Sequence, residues 1–174
     1  SGKSTLIKII AGLLRPNFGE IYYNNEICND DLISFWQNKI GYVRQNVFVY
    51  NSSLKNNIAF GVDEQLIDYD KLDNAIQLSN LDEFISSNEY GIEYNIGENG
   101  SKLSGGQIQR VGIARAIYFD SEIILFDEPM SALDELAQFK ITKTIINLAK
   151  RNFTIIISSH QKYIFEHCNK KIMI

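Results

Sequence analysis

Two runs of apolar residues constrain the fold of this chain most. Residues 123–126 and 154–157 are short and almost wholly apolar, without the alternation expected of a strand that has one solvated face. Such continuous runs are typical of parallel strands that helices cover on both faces. Between the two runs, Ile141, Ile145 and Leu148 recur at helical spacing. The sequence therefore predicts a doubly wound α/β domain with a mostly parallel sheet.

Length and charge exclude several functional classes. A chain of 174 residues is long enough for one domain with a sizeable core. Its 17 Lys and Arg against 21 Asp and Glu leave a net charge of −4, which argues against a nucleic-acid partner, because such proteins need a basic surface. The longest apolar runs are far too short to cross a bilayer. Cys28 and Cys168 lie in no metal-binding spacing and are interpreted as free thiols.

Apolar periodicity predicts the remaining elements. Leu6, Ile9, Ile10 and Leu13 share one helical face, so a helix follows the opening residues and ends near residues 15–17. Further predictions are a hairpin over residues 19–27 turning at Asn24 and Asn25, a helix over 30–38, a strand over 40–43, a small helical insert from about 54 to 103, and a helix over about 103–118.

A half-motif for phosphate binding precedes the first predicted helix. Gly2, Lys3, Ser4 and Thr5 match the second half of a GxxxxGK[ST] loop. A helix start offers free N–H groups and a positive dipole end to an anion. Lys3 would reach the β- and γ-phosphates, and the Ser4 hydroxyl would bind Mg²⁺. The alternative is an ordinary capped helix start, and the half-motif alone does not decide between them.

Two carboxylates follow the apolar run at 123–126. Asp127 and Glu128 would emerge at the carboxyl edge of a parallel sheet, where ligands of open α/β sheets bind. Asp127 is suited to hold Mg²⁺ or its waters, and Glu128 is suited to polarise an attacking water. The alternative is a strand that simply ends in two solvated charges. Together with Lys3 and Ser4, the pair favours a Mg-nucleotide site.

The run Leu-Ser-Gly-Gly-Gln at residues 103–107 is the most specific signal. Five specified residues arise by chance about once in a million positions at average amino-acid usage. Bare glycine amides, the Ser104 hydroxyl and a helix start can bind an anion together, although two glycines can also mark a simple tight turn.

With these motifs, the chain resembles the nucleotide-binding domain of an ABC transporter. Residues 103–107 match the signature motif of that family, and residues 123–128 match its Walker B motif with the catalytic glutamate. The other matching residues are Lys3 and Ser4 for Walker A, Gln45 for the Q-loop, residues 131–134 for the D-loop and His160 for the switch histidine. Each of these residues, taken singly, also has an ordinary structural explanation.

The resemblance implies a P-loop NTPase-type fold with a small helical subdomain insert. It also implies that residues 1–174 form an ABC ATPase domain that is incomplete at both ends. Within this domain, a RecA-like core would comprise about 1–53 and 119–174, and a helical subdomain would comprise about 54–118. Two such domains would pack head to tail around ATP and Mg²⁺. The implied roles are catalysis for Glu128, His160 and Gln45; ATP binding for Gly2, Lys3, Ser4, Thr5, Ser104, Gly105, Gly106, Gln107 and Asp134; and Mg²⁺ binding for Ser4, Gln45 and Asp127.

The resemblance also favours an exporter or flippase. Residues 97–100 and 48–58 are similar to exporter-type elements, whereas Pro129 is more typical of importers and Met130 replaces a small or hydroxyl residue. The implied partners are a second ATPase domain and a transmembrane domain fused at the N-terminal side, on the cytoplasmic face of the inner membrane. The substrate stays undetermined. Because the leading half of the phosphate loop is not in the sequence, we expect the isolated chain to bind ATP weakly.

Other functions stay open at this point. They are an importer-type ATPase subunit, an ABC ATPase of DNA repair or chromosome structure, a degenerate domain that binds nucleotide without hydrolysis, and a fragment without activity of its own. The short separation of Lys3 from Ser104 and the acidic charge disfavour the chromosome type.

Overall fold

The computed structural model describes residues 2–23 and 25–173. The helices are α1 (Lys3–Ile10), α2 (Asp30–Gln37), α3 (Leu54–Ile58), α4 (Tyr69–Ser79), α5 (Asp82–Ser86), α6 (Gly105–Tyr118), α7 (Glu135–Ala149) and α8 (Lys162–Glu166). The strands are β1 (Tyr22–Tyr23), β2 (Glu26–Ile27), β3 (Ile40–Val43), β4 (Ile123–Asp127) and β5 (Thr154–Ser158). None of the helices in the described part of the chain combines the length and the hydropathy of a membrane-spanning segment.

A three-stranded parallel sheet forms the centre, in the order β3-β4-β5. Alternate residues of β4 face opposite layers: Leu125 packs with Ile7 and Ala11 near α1, whereas Ile124 and Phe126 join the larger core formed with α6 and α7. The sheet is thus covered on both faces, which confirms the predicted doubly wound α/β class. Both predicted strands are present, but only β4 is buried, whereas β5 lies at the edge of the described sheet and is half-buried.

The long helix α6 contacts both the sheet and the helices of the predicted insert. It packs against α3 and α4 on one side and against β3 on the other. A Cβ on Gly41 of β3 would overlap the Cβ of Ala116, so the helix and the strand lie unusually close. The predicted helices between residues 54 and 118 are present, and the division of the chain into two units stays a prediction.

The first helix is shorter than predicted. It ends at Ile10, because Gly12 has a φ of +69° and the N–H groups of Gly12 and Leu13 donate to the carbonyls of Ile9 and Lys8. This pattern is the Schellman motif, which glycine favours at a helix end. The chain leaves the helix there, and the side chain of Leu13 stays 56% exposed.

The predicted hairpin is present as the antiparallel pair β1–β2. Its Asn25 has a φ of +66°, a conformation that asparagine tolerates in tight turns. Asn24, the other residue of the predicted turn, lies outside the described residues. The predicted helix over residues 30–38 and the strand over 40–43 are α2 and β3.

Candidate functional site

Five side chains converge at the carboxyl edge of the sheet. Lys3 and Ser4 come from the first turn of α1, Asp127 ends β4, Glu128 follows it, and His160 lies just after β5. Hydrogen bonds and ion pairs join them in two adjacent sets: Ser4 contacts Asp127, and Lys3, His160 and Glu128 contact one another. We call these five residues the edge cluster.

The carboxylate of Asp127 is the buried member of the edge cluster, with 8% of the residue exposed. Its Oδ1 accepts a hydrogen bond of 2.9 Å from the Ser4 hydroxyl. Its Oδ2 accepts one of 3.1 Å from the hydroxyl of Tyr42, which lies on β3. Burial and the Asp127 charge raise the pKa of Tyr42 to about 12, so its hydroxyl keeps the donated proton at neutral pH. Both oxygens of Asp127 are therefore fixed in place.

His160 is exposed, and Lys3 and Glu128 lie half-buried beside it. The Lys3 Nζ lies 2.7 Å from Nε2 of His160 and 3.9 Å from Oε1 of Glu128. The same Nε2 lies 3.1 Å from Oε1 of Glu128. Nε2 of His160 can accept a hydrogen bond from the Lys3 ammonium or donate one to the Glu128 carboxylate, but it cannot do both at once. The three groups can therefore exchange partners readily.

The backbone of Glu128 is held in an uncommon conformation. Its φ is +50°, in the left-handed region that non-glycine residues seldom adopt. The Glu128 N–H donates to the carbonyl of Ser158 at 2.9 Å, and the Glu128 carbonyl accepts from the Ser131 hydroxyl at 3.1 Å. Strain of this kind persists only where the surroundings enforce it, and it is concentrated at functional sites.

The edge cluster fits Mg²⁺ and a phosphate group. Ser4 and Asp127 present hydroxyl and carboxylate oxygens, the ligand type that Mg²⁺ prefers. Gly2 caps α1 with a φ of +111° and adds no side chain beside the N–H groups of the first turn. Thr5 lies exposed on that same turn. The residues present therefore suit an anion bound together with a divalent cation.

Residues 104–107 form a second, separate surface at the start of α6, which we call the serine-glycine corner. The Ser104 hydroxyl accepts from the N–H of Gln107 at 3.3 Å, and the Gln107 side chain accepts from the N–H of Ser104 at 2.7 Å. This capping box fixes the helix start. Ser104 and Gly105 stay exposed, so the corner is open to a partner.

The loop before α7 packs against the serine-glycine corner. A Cβ on Gly105 would lie 3.0 Å from Cδ2 of Leu133, and one on Gly106 would lie 3.3 Å from Cβ of Ala137. Asp134 caps α7 by accepting from the N–H of Ala137 at 2.8 Å. Asp134 therefore lies beside the serine-glycine corner, where it lines one cleft together with Ser104, Gly106 and Gln107.

The predicted residues thus fall into two groups. Within residues 2–23 and 25–173, no hydrogen bond or ion pair joins the serine-glycine corner to the edge cluster. Gln45 lies exposed directly after β3, and its side chain makes no hydrogen bond to the edge cluster in this part of the chain. Its backbone carbonyl accepts from Gln109 instead.

Two polar residues near the site were not predicted from the sequence. Tyr42 sits in β3 beside β4, where only the parallel strand register brings it to Asp127. Gln109 is a polar residue on the buried face of α6, with 5% of its surface exposed. A polar side chain at an apolar position of a helix is the signal that could have identified Gln109.

Comparison with known proteins supports one family. Residues 1–131 match the model of the ABC transporter family. The chain is 33% identical to an ATP-dependent lipid A-core flippase of Cupriavidus pinatubonensis, over the whole chain and 30% of that protein. It is 37% identical to the lactococcin-G-processing and transport ATP-binding protein LagD of Lactococcus lactis subsp. lactis, over the whole chain and 24% of that protein. The chain thus spans less than a third of the length of these relatives.

Solved structures agree with this assignment. A bacterial Atm1-family ABC exporter with ATP bound superposes with a TM-score of 0.78 at 30% identity, covering 94% of this chain and 28% of that one. The cbiO1 protein of Clostridium perfringens, part of the ABC transporter complex cbiONQ, superposes with a TM-score of 0.77 at 26% identity, covering 97% of this chain and 66% of that one. The chain belongs to the ABC transporter family and is an ATP-binding domain of that family.

Proposed function

We propose that this domain binds Mg-ATP, hydrolyses it in a head-to-tail dimer, and powers export or lipid flipping by a membrane transporter. The observation that carries the proposal is the edge cluster, in which the Lys3 ammonium lies within 3.9 Å of Glu128 while Ser4 contacts Asp127. An ammonium, a hydroxyl and two carboxylates at one sheet edge are the groups that phosphoryl transfer to water requires.

In this proposal, Ser4, Asp127 and Gln45 hold Mg²⁺. When bound, the cation would neutralise part of the charge of the phosphates. The buried carboxylate of Asp127 is kept in one orientation by Ser4 and Tyr42. Gln45 lies exposed after β3, where its side-chain oxygen is free to approach the cation.

Lys3, Glu128 and His160 act on the terminal phosphate and the attacking water. The ammonium of Lys3 exchanges His160 and Glu128 for phosphate oxygens, and this exchange frees the carboxylate of Glu128 to orient the water and take its proton. The imidazole of His160, whose side chain is 74% exposed, can follow the phosphate as it binds. Gly2 and Thr5 belong to the helix start that faces the phosphates.

A second copy would complete the site. The serine-glycine corner is exposed and has no hydrogen bond to the edge cluster among the described residues, so the Ser104 hydroxyl proton and the N–H groups of the two glycines can be offered to the ATP of a partner. The partner's serine-glycine corner would bind the phosphates from the opposite side through Ser104, Gly105, Gly106 and Gln107. Asp134 would line the same interface. ATP then holds the dimer together, and loss of the terminal phosphate lets it open.

Export is favoured by the relatives. The lipid A-core flippase, the lactococcin-G-processing and transport protein and the Atm1-family exporter are similar to this chain in sequence. In the proposal, the domain acts at the cytoplasmic face of the membrane, with a transmembrane domain as its partner. Pro129, which directly follows Glu128, is more typical of importers.

The proposal is tested by ATP hydrolysis in the intact protein. Glu128→Gln keeps the size of the side chain but removes the base, so ATP binding should persist while hydrolysis falls by about 10²- to 10⁴-fold. Glu122→Gln is the matched control, because Glu122 is an exposed carboxylate just before β4 that pairs with Lys39. Near-normal hydrolysis by Glu128→Gln, or an equal loss in Glu122→Gln, would contradict the proposal.

A further inference from the structure

One face of α6 lies along β3 and the segment that follows it. Gln109, Gly112 and Ala116 recur at helical spacing on this face. A Cβ on Gly112 would lie 2.7 Å from Cγ2 of Val47, so the helix and the segment are in close contact. Further along α6, Arg115 donates to the carbonyl of Phe48 at 3.0 Å. The segment over residues 44–48 is therefore attached to α6 at three residues that span about two helical turns.

Gln109 makes the contact closest to the edge cluster. Its Nε2 lies 2.5 Å from the carbonyl oxygen of Gln45 and 3.4 Å from that of Arg44. Two carbonyl oxygens require a donor between them, so the NH₂ group must point to them and the amide cannot be reversed. The side chain of Gln109 thus fixes the backbone of Gln45 while leaving the Gln45 side chain exposed.

The other end of the same amide has no partner among the described residues. Oε1 of Gln109 is buried and accepts no hydrogen bond from residues 2–23 or 25–173. A buried acceptor without a donor destabilises a protein relative to a satisfied one. An apolar residue of similar length would fill the position without that cost. Packing therefore does not explain why residue 109 is a glutamine, whereas its hydrogen bond to the Gln45 carbonyl does.

The helix that carries Gln109 begins at the serine-glycine corner. The capping box of Ser104 and Gln107 makes the first turn of α6 rigid, and Gln109 lies within the next turn. A displacement of the corner is therefore transmitted through little more than one helical turn to the backbone of Gln45.

We propose that Gln109 is a positioning residue that places Gln45 for Mg²⁺ and links it to the serine-glycine corner. This inference rests on the proposed function, in which Gln45 is a Mg²⁺ ligand. Gln109 touches neither ATP nor the cation and acts only through the backbone of Gln45. In the dimer, the corner serves one ATP and Gln45 serves the other, so Gln109 connects the two sites.

The test replaces Gln109 with methionine in the intact protein, which keeps the length of the side chain and removes both amide groups. Loss of an outer-shell contact of this kind weakens metal binding by about 10-fold or more, with a similar loss of kcat. Binding of Mn²⁺ in the presence of ATP, followed by electron paramagnetic resonance in the Glu128→Gln background, reports the metal site without turnover. The thermal midpoint should not fall, because Met also removes the unpartnered oxygen.

Ile113→Val is the matched control. Ile113 is fully buried on the same helix and packs into the core. It should lower the thermal midpoint while leaving Mn²⁺ binding and the response to Mg²⁺ unchanged. Gln109→Met combined with Gln45→Ala should be no worse than Gln45→Ala alone, because Gln109 acts only through Gln45.

Three results would overturn the inference. They are unchanged Mn²⁺ binding in Gln109→Met, a loss of activity that merely follows the thermal midpoint, and a larger loss of Mn²⁺ binding in the double variant than in Gln45→Ala alone. The proposed function is judged separately by wild-type hydrolysis and Glu128→Gln. If those behave as expected and Gln109→Met is neutral, only the role of Gln109 fails.

Discussion

The Ser4 hydroxyl donates a 2.9 Å hydrogen bond to Oδ1 of Asp127, although 123 positions separate the two residues in the sequence. The contact joins the first turn of α1 to the carboxyl end of β4. The second oxygen of Asp127 accepts from Tyr42, so neither oxygen is free to turn. A buried carboxylate fixed in this way is already oriented for a cation before one binds.

Tyr42→Phe should weaken Mg²⁺ binding without unfolding the domain. The change removes only the hydroxyl that holds Oδ2 of Asp127 at 3.1 Å. Loss of an outer-shell hydrogen bond predicts a rise of about 10-fold in the apparent Mg²⁺ constant of ATP hydrolysis. Tyr90→Phe is the control, because Tyr90 is 61% exposed and distant in sequence from the strand edge. Equal Mg²⁺ constants for both variants would argue against this role for Tyr42.

Lys3→Met should weaken ATP binding itself. The ammonium of Lys3 lies between His160 and Glu128, where it can exchange to phosphate oxygens. Because hydrogen bonds between charged groups contribute strongly to binding, their loss should raise the Kd for ATP by about 10- to 100-fold. Lys8→Met, in the last turn of the same helix, serves as the control. Calorimetry on the intact protein gives both constants, and an unchanged Kd for Lys3→Met would rule out the phosphate contact.

Ser104→Arg should block dimerisation on ATP while leaving the nucleotide bound to the edge cluster. The large cation would occupy the exposed serine-glycine corner, which has no hydrogen bond or ion pair to the edge cluster among the described residues. Ser104→Thr keeps a capping hydroxyl and should still dimerise. Crosslinking in the Glu128→Gln background measures the dimer, and an ATP-dependent dimer of Ser104→Arg would place the corner outside the interface.

Most of the site was predictable because its residues occupy characteristic positions in the sequence. Apolar runs that end in Asp127 or lead to His160 mark buried parallel strands, and the structure gives β4 and β5 at those places. Which residues contact Asp127 was less predictable. Tyr42 reaches it only because β3 pairs with β4 in one particular register, and a register between distant strands leaves no local pattern.

The end of α1 shows a different reason for a wrong prediction. The apolar periodicity continues to Leu13, but Gly12 forms a Schellman motif that stops the helix at Ile10. The glycine was a visible signal, and it outweighs periodicity because a left-handed residue ends the helical hydrogen bonds. Gln109 was hidden for the opposite reason, since its helix was predicted correctly and only its buried environment reveals its contacts.

The stability of the domain should depend on Lys55 at high pH. Lys55 is 5% exposed, and its ammonium lies 2.6 Å from Glu64 and 2.6 Å from Glu93. The hydrogen bonds that the Lys55 ammonium donates to Glu64 and, second, to Glu93 raise the pKa of Lys55 well above its ordinary value of 10.5. A raised pKa means that the folded state holds the proton longer than the unfolded state. The stabilisation is therefore complete below pH 10.5 and is lost as the pH rises through the folded pKa.

Lys55→Met should accordingly lower the thermal midpoint at pH 8 and flatten its decline in alkaline buffer. The variant leaves two glutamates facing an apolar side chain, and it has no ammonium to lose above pH 10.5. Circular dichroism melts of the intact protein between pH 8 and pH 12 measure both effects. Lys102→Met, at an exposed lysine, should keep the wild-type decline. If Lys55→Met declines as steeply as wild type, the two glutamates do not hold the Lys55 proton in the folded state.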